Sequence, residues 1–334
     1  MKQSSSKFIV IVLLDDFLAS ALSGALDLLN TANLVHQYMH KNVDKLFHWK
    51  LASLNSMAVK ASNGYSHPVE SSIQQISDAD VVYIPGVSLI SEKAMTDSLL
   101  KNNALYPWLK TIALKNSIIT TSCTASLFLA EAGLLKNKKV TSSWMFSNYF
   151  KRRYPEVNLL DDEILIDETS IITSAAASSY QELVLVIIQR FAGKELASLV
   201  SKYMLIDTNR SSQAAFKVSL PSTFDIEDDL VTKAVELIRV NLNKNFTILQ
   251  LAEQLHVSYR TLIRRFQTSL GININTYIQN QRVESAKKLF ELTQLSLDEI
   301  VYKVGYNDVS AFRKLFKRTT NMTPKIYKQK FGAK

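Results

Sequence analysis

Two stretches near the C-terminus repeat one pattern, and such a repeat leaves few folds open. LAEQLHVSYRTLIRRF runs from Leu251 to Phe266, and IVYKVGYNDVSAFRKLF from Ile300 to Phe316. Leu251 and Leu255 correspond to Ile300 and Val304, an offset of 49. Leu262 and Phe266 correspond to Phe312 and Phe316, an offset of 50. The second copy therefore has a turn one residue longer, at Gly305-Tyr306-Asn307. Apolar residues four apart share one side of a helix. Each copy predicts a short amphipathic helix, a tight turn and a second helix.

The surrounding chain fits that reading. Asp229 to Leu242 is periodic, with Leu230, Ala234, Leu237 and Ile238 on one face. Thr247 is placed to cap a helix over 248–255, and Ser258 to cap one over 259–270, because a hydroxyl accepts from the free N–H groups of the first turn. In the second of these, Leu262, Phe266 and Leu270 face inward, while Arg260, Ile263 and Arg264 face outward; Gly271 ends it. A long helix follows over 275–292. Asn307 or Asp308 then caps a helix with Val309, Ser310, Arg313, Lys314 and Lys317 outward, and Thr323-Pro324 opens a last one. Two such pairs around one long helix are helix-turn-helix units, whose outer faces suit the major groove.

Charge agrees with this placement. Residues 240–334 hold 16 Lys/Arg against 6 Asp/Glu, while the preceding 239 hold 23 against 24. The whole excess of a chain with net charge +9 therefore sits at one end, the footprint of a polyanion-binding module joined to a neutral domain.

The first two hundred residues read differently. Lys7 to Leu14 (KFIVIVLL) is a continuous, β-branched apolar run, as in a strand buried on both faces. A helix over 22–35, strands over 47–54, 79–85 and 115–121, and a helix from Cys123 to Ala132 follow. Two short strands flank Asp167-Glu168, then come a helix over 178–191 and another after Gly193. This alternation predicts a doubly wound, flavodoxin-like α/β domain with a mainly parallel sheet. Ligands of such sheets bind beyond the carboxyl ends of the strands. Pro85, Gly86, Cys123 and Thr124 fall there, and they are the candidate ligand residues. Cys123 sits where a strand turns sharply into a helix, a place that projects a side chain and whose helix N-terminus favours a thiolate.

Length favours two domains or three small ones, here 1–206 and 227–334 with a polar linker over 207–226. The apolar runs are too short to span a bilayer, and the N-terminus has no signal-peptide pattern, so a cytoplasmic protein is expected. The single cysteine leaves no internal disulfide or cysteine-rich metal site. His36 and His40 lie four apart without further ligands, and His67 follows a turn; no metal and no cofactor are expected.

SCTASLFLAEAGLLKNKKVTSSW, Ser122 to Trp144, resembles the nucleophile-elbow region of PfpI-like, amidotransferase-like domains, and more narrowly the GlxA-type transcription regulators. The resemblance extends over most of residues 7–200. Ser143 stands where the family carries a histidine, and Ala125 where it carries a glycine. A thiol nucleophile needs a base within reach, and the acids near the first loop are Asp15 and Asp16. No catalytic residue is therefore assigned. Residues 246–331 resemble the AraC/XylS DNA-binding domain, through Val257-Ser258, Arg264-Arg265-Phe266, Gly271, Arg282, Val304-Gly305-Tyr306, Phe312, Phe316-Lys317, Pro324 and Tyr327. Arg210, Gln213 and Phe216 match a pattern of the same regulators.

That resemblance implies a bacterial transcription regulator with double-stranded DNA as partner. It assigns base or groove contacts to Arg260, Ile263, Arg264, Val309, Ser310, Arg313 and Lys314. The basic groups suit guanine edges, while Ile263 and Val309 offer only apolar contact where polar residues are commoner. Arg265 is expected toward the helix side, and Arg282 in a structural ion pair. A small-molecule effector, a homodimer and RNA polymerase are the further partners expected. The rival reading is a thiol amidohydrolase with an attached DNA-binding domain; a third is a constitutive regulator whose first domain only dimerises.

Overall fold

The computed structural model describes residues 6–41, 44–218, 228–244 and 246–333. They divide into two compact units, Met1–Gln213 and Ala214–Lys334.

The N-terminal unit opens with β1 (Lys7–Val12), α1 (Ala19–His40) and β2 (Phe47–Ser53). Three two-residue strands follow, β3 (Val59–Lys60), β4 (Ser66–His67) and β5 (Ser71–Ser72), then β6 (Val81–Ile84), α2 (Glu92–Lys101) and α3 (Leu105–Ala113). Next come β7 (Ile118–Ser122), α4 (Ser126–Glu131), β8 (Lys139–Val140), α5 (Ser147–Arg153) and β9 (Asn158–Leu159). The unit ends with β10 (Leu165–Asp167), β11 (Ile171–Ser174) and α6 (Tyr180–Tyr203). Seven strands form one sheet in the order β10-β11-β7-β6-β1-β2-β5, in which β10 alone pairs antiparallel.

The apolar run of β1 explains the layering. Val10 and Val12 face one core with Leu99, Leu109 and Phe128; Ile9 and Ile11 face the other with Leu28, Leu183 and Ile188. A strand covered by helices on both faces can be apolar at every position. The order reverses between β1 and β6, so their carboxyl ends, with that of β7 beside them, open at the switch point where doubly wound sheets bind ligands. The expected helix break at Gly193 is present as φ 89 and ψ 166 inside α6. The sequence pattern does not mark α2 and α3; α2 buries only Met95 and Leu99, a weak periodic signal.

The described part of the expected linker is bound to the unit on either side. Arg210 forks onto Glu182 at 2.7 and 2.8 Å. The Gln213 amide donates to the carbonyls of Ser142 (2.8 Å) and Asp161 (3.0 Å). In the C-terminal unit Ala215 is buried, and Phe216 stacks edge-on to Phe331 at 5.3 Å. Residues 219–226 of the expected linker lie outside the described residues.

The C-terminal unit contains α7 (Asp229–Val240), α8 (Ile248–Gln254), α9 (Tyr259–Leu270), α10 (Ile274–Leu292), α11 (Leu297–Lys303), α12 (Val309–Thr320) and α13 (Pro324–Phe331). Among the described residues its buried apolar side chains form two separate clusters. One gathers Val231, Ile238, Leu251, Leu262, Phe266 and Ile274; the other gathers Val283, Phe290, Ile300, Phe312, Phe316 and Tyr327. Each helix-turn-helix thus has its own core, and α10 contributes to both.

Candidate nucleic-acid interface and elbow site

Local chemistry fixes the ends of both recognition helices. Ser258 caps α9 by accepting from the Thr261 N–H at 3.1 Å. Asp308, not Asn307, caps α12, accepting from Ser310 and Ala311 at 2.8 and 3.2 Å. The preceding helices start with capping boxes, Thr247 with Gln250 and Ser296 with Glu299. In the first turn His256 takes a left-handed φ of 54; in the second Gly305 takes φ 85 and the extra residue follows it.

Leu262, Phe266 and Leu270 bury the inner face of α9, and Phe312, Leu315 and Phe316 that of α12. Arg260 and Arg264 are exposed, as are Ser310, Arg313, Lys314 and Lys317. Ile263 and Val309 differ from the outward placement read from the sequence. Both are half-buried and pack against their own cores, because they lie at the edge of the apolar stripe rather than opposite it. Gln267 and Tyr259 are exposed on the same helix and were not among the assigned contacts. Gln267 matches Lys317 at the offset of 50, the signal that would have found it.

Two arginines are committed to structure. Arg265 forks onto Asp228, the N-cap of α7, at 2.7 and 2.6 Å. That bond holds the Asp228 carboxyl below the usual carboxylate range. Arg282 makes no ion pair of the expected kind among the described residues. It donates to the carbonyls of Leu242 (3.0 Å) and Lys244 (3.1 Å).

In the N-terminal unit, the fold brings Pro85, Gly86, Cys123 and Thr124 together at the ends of β6 and β7, and all four are buried. Cys123 occupies the elbow with φ 57. A residue with a Cβ pays for that left-handed conformation, and such outliers gather at functional sites. Gly86 lets the two turns touch: a Cβ there would lie 2.5 Å from Cys123 Cβ. The Thr124 hydroxyl donates to the Val87 carbonyl at 2.7 Å and accepts from the Val87 N–H at 2.9 Å. The Thr124 and Cys123 side chains are thus engaged with the chain itself.

The thiol does not behave as its place at a helix start suggested. Burial pushes its pKa up; hydrogen bonds from the Ala177 and Thr124 backbone and from Ser143 pull it down without cancelling that effect. Cys123 opens the 3₁₀ turn that runs into α4 inside the packed core, so desolvation of the thiolate dominates. Asp15 is paired with Lys101 at 2.6 Å, not with the thiol. His67 lies edge-on to Phe17, and the His36 and His40 rings lie 4.7 Å apart, tilted at 58°. Among the described residues no group of three or more His, Cys, Asp or Glu is placed to hold a metal. Ser142, which sequence reasoning passed over, donates to the Cys123 carbonyl at 3.1 Å while its own carbonyl holds Gln213.

Comparison with known proteins decides the family. The DJ-1/PfpI family profile matches residues 9–190 and a helix-turn-helix domain profile matches 251–330. The chain belongs to the DJ-1/PfpI family. Its C-terminal unit is an AraC-type helix-turn-helix domain, and the protein is a DNA-binding transcription regulator. It is 24% identical to the HTH-type transcriptional regulator CdhR of Pseudomonas aeruginosa, over 94% of this chain and 89% of that protein. It is 24% identical to GbdR of the same species over 95% of this chain and 83% of that one. The fold of the N-terminal unit matches a putative transcriptional regulator from Vibrio parahaemolyticus with TM-score 0.52 at 19% identity, covering 60% of this chain and 100% of that one. Drosophila melanogaster DJ-1beta matches with TM-score 0.50 at 23% identity, covering 60% and 99%. No helix among the described residues is long and apolar enough to cross a membrane.

Proposed function

We propose that the two helix-turn-helix units read successive major grooves on one face of DNA, and that the N-terminal unit is a non-catalytic sensor of a small molecule. The observation that carries the first part is the pair of equivalent outer faces. Arg260 and Arg264 on α9, and Arg313 and Lys314 on α12, are exposed and make no hydrogen bond or ion pair among the described residues. They are the base-edge candidates, with Ser310; Ile263 and Val309 flank them as apolar contacts. Arginine forked on guanine is the commonest specific pairing, so free arginines on capped helices suit sequence readout. On this reading the protein acts as a homodimer in the cytoplasm, with RNA polymerase as a further partner.

The sensor reading rests on the elbow's chemistry. A hydrolase of this design needs a thiolate and a base; here the thiol is buried, its pKa is raised, and Ser143 rather than a histidine adjoins it. Genome-wide mapping of bound DNA, followed by footprinting of one site with the purified chain, tests the reader. Two protected grooves one helical turn apart are expected, and a single protected groove speaks against two readers. The Cys123→Ser variant tests the sensor: retained reporter control is expected, whereas an amide-hydrolysing activity lost with the thiol supports the amidohydrolase instead. A first domain that only dimerises would leave thermal stability unchanged across a metabolite library.

A further inference from the structure

The two reader cores are separate, and the break between them falls within α10. Tyr277 and Ile278 pack on the first core, while Val283 and Ala286 belong to the second. Arg282 sits at that break. If α10 were the only link, the phase between readers would be as soft as one helix under torsion. Arg282 supplies a second link. Its Nε and Nη2 hold the Leu242 and Lys244 carbonyls at 3.0 and 3.1 Å, in the turn that follows α7 of the first reader. Its guanidinium carbon lies 5.2 Å from the ring centroid of Tyr306, in the turn of the second. Gly305 closes the same point: a Cβ there would stand 2.9 Å from the Leu242 oxygen and 3.0 Å from Arg282 Nη2. Three elements therefore converge on one carbonyl. Beside them lies a cleft of about 300 Å³ lined by Arg239, Asn243, Ser285 and Lys303, so polar groups border this junction.

We infer that Arg282 is the positioning residue that sets the spacing between the two readers, and hence the number of base pairs between the two boxes of the DNA site. The inference rests on the two-groove reading above. A guanidinium suits the task because its planar fork donates to two fixed acceptors while its face lies against an aromatic ring. Carbonyls just after a helix also favour a cation. A lysine keeps the charge but not the fork.

In vitro selection from a random duplex library, with the full-length chain, gives the test. Wild type is expected to recover two boxes at one spacing. Arg282→Met and Arg282→Lys should recover the same boxes with a spread of spacings. Both should lose on the order of tenfold affinity for the wild-type spacing, lose most of the penalty for inserting one base pair, and keep affinity for a single box. Gly305→Ala, which wedges the same junction, should shift or broaden the spacing. Circular dichroism of each variant separates misfolding from altered phase. A spacing as sharp in both Arg282 variants as in wild type overturns the inference while leaving two readers. Wild-type behaviour of Arg282→Lys beside a defective Arg282→Met makes Arg282 a charge on phosphate and overturns it also. A single box selected by wild type overturns the two-groove reading itself, and the inference with it.

Discussion

Gly86→Ala offers a direct probe of how tightly the elbow is packed. The added methyl would sit 2.5 Å from Cys123 Cβ, 2.9 Å from the Ser122 carbonyl oxygen and 3.4 Å from Cys123 Sγ. Carbon atoms rest at about 3.5–4.0 Å, so the overlap with Cys123 Cβ is on the order of an ångström. Two of those atoms are backbone or fixed to it, so no flexible side chain can yield. Overpacking of this kind costs about 1–3 kcal/mol. For a unit of about 200 residues each kcal/mol lowers Tm by roughly 2–4 °C, giving a fall of roughly 2–12 °C. Trp49, Trp108 and Trp144 are the three tryptophans and all lie in the N-terminal unit, so tryptophan fluorescence follows that unit's melting. The second arm is Cys123→Gly. It removes the opposing Cβ and relieves φ 57, a conformation that costs an L-residue about 1–2 kcal/mol, but it gives up a buried thiol. The double variant should therefore melt above Gly86→Ala alone, with a coupling of about 1–2 kcal/mol. Additive losses, or a Gly86→Ala protein that melts with wild type, would refute the contact.

Other expectations follow from the readers and their supports. Arg264→Ala should cost about 1–3 kcal/mol on the selected duplex and relax discrimination at one base pair; equal loss on random DNA in a titration would mark a phosphate contact. Asp308→Ala removes the cap of α12 and should cost about 1 kcal/mol of stability, seen in urea unfolding and in faster amide exchange at Ser310 and Ala311. The Asp228 carboxyl is held low by Arg265, so its contribution is present above the unfolded pKa of about 3.9 and lost as pH falls through the folded value. Acid titration of Asp228→Asn should show a shallower loss of stability below about pH 4; an unchanged acid limb would show that the pair adds nothing. Because burial raises the Cys123 thiol pKa, alkylation at neutral pH should be slow in the native chain and fast in urea. Fast native labelling would mean that the elbow is open.

Much of this molecule is written locally. Helical spacing of Leu262, Phe266 and Leu270, capping by Ser258 and Thr247, and the left-handed turn glycine at 305 act within a few residues, so the sequence alone predicts both helix-turn-helix units and the longer second turn. The continuous apolar run at 7–14 likewise predicts a strand covered on both faces. Contacts between distant residues are another matter. Arg265 meets Asp228 37 residues away, and Arg282 meets Leu242 40 residues away. Periodicity places each arginine on a side of its helix but says nothing about which carboxylate or carbonyl the returning chain will present there. The same holds for the elbow. The sequence places Cys123 at a strand-to-helix turn, but whether its thiol titrates as a nucleophile depends on burial. Gly86 and Ser143 reach it from separate turns, and only the tertiary structure decides that.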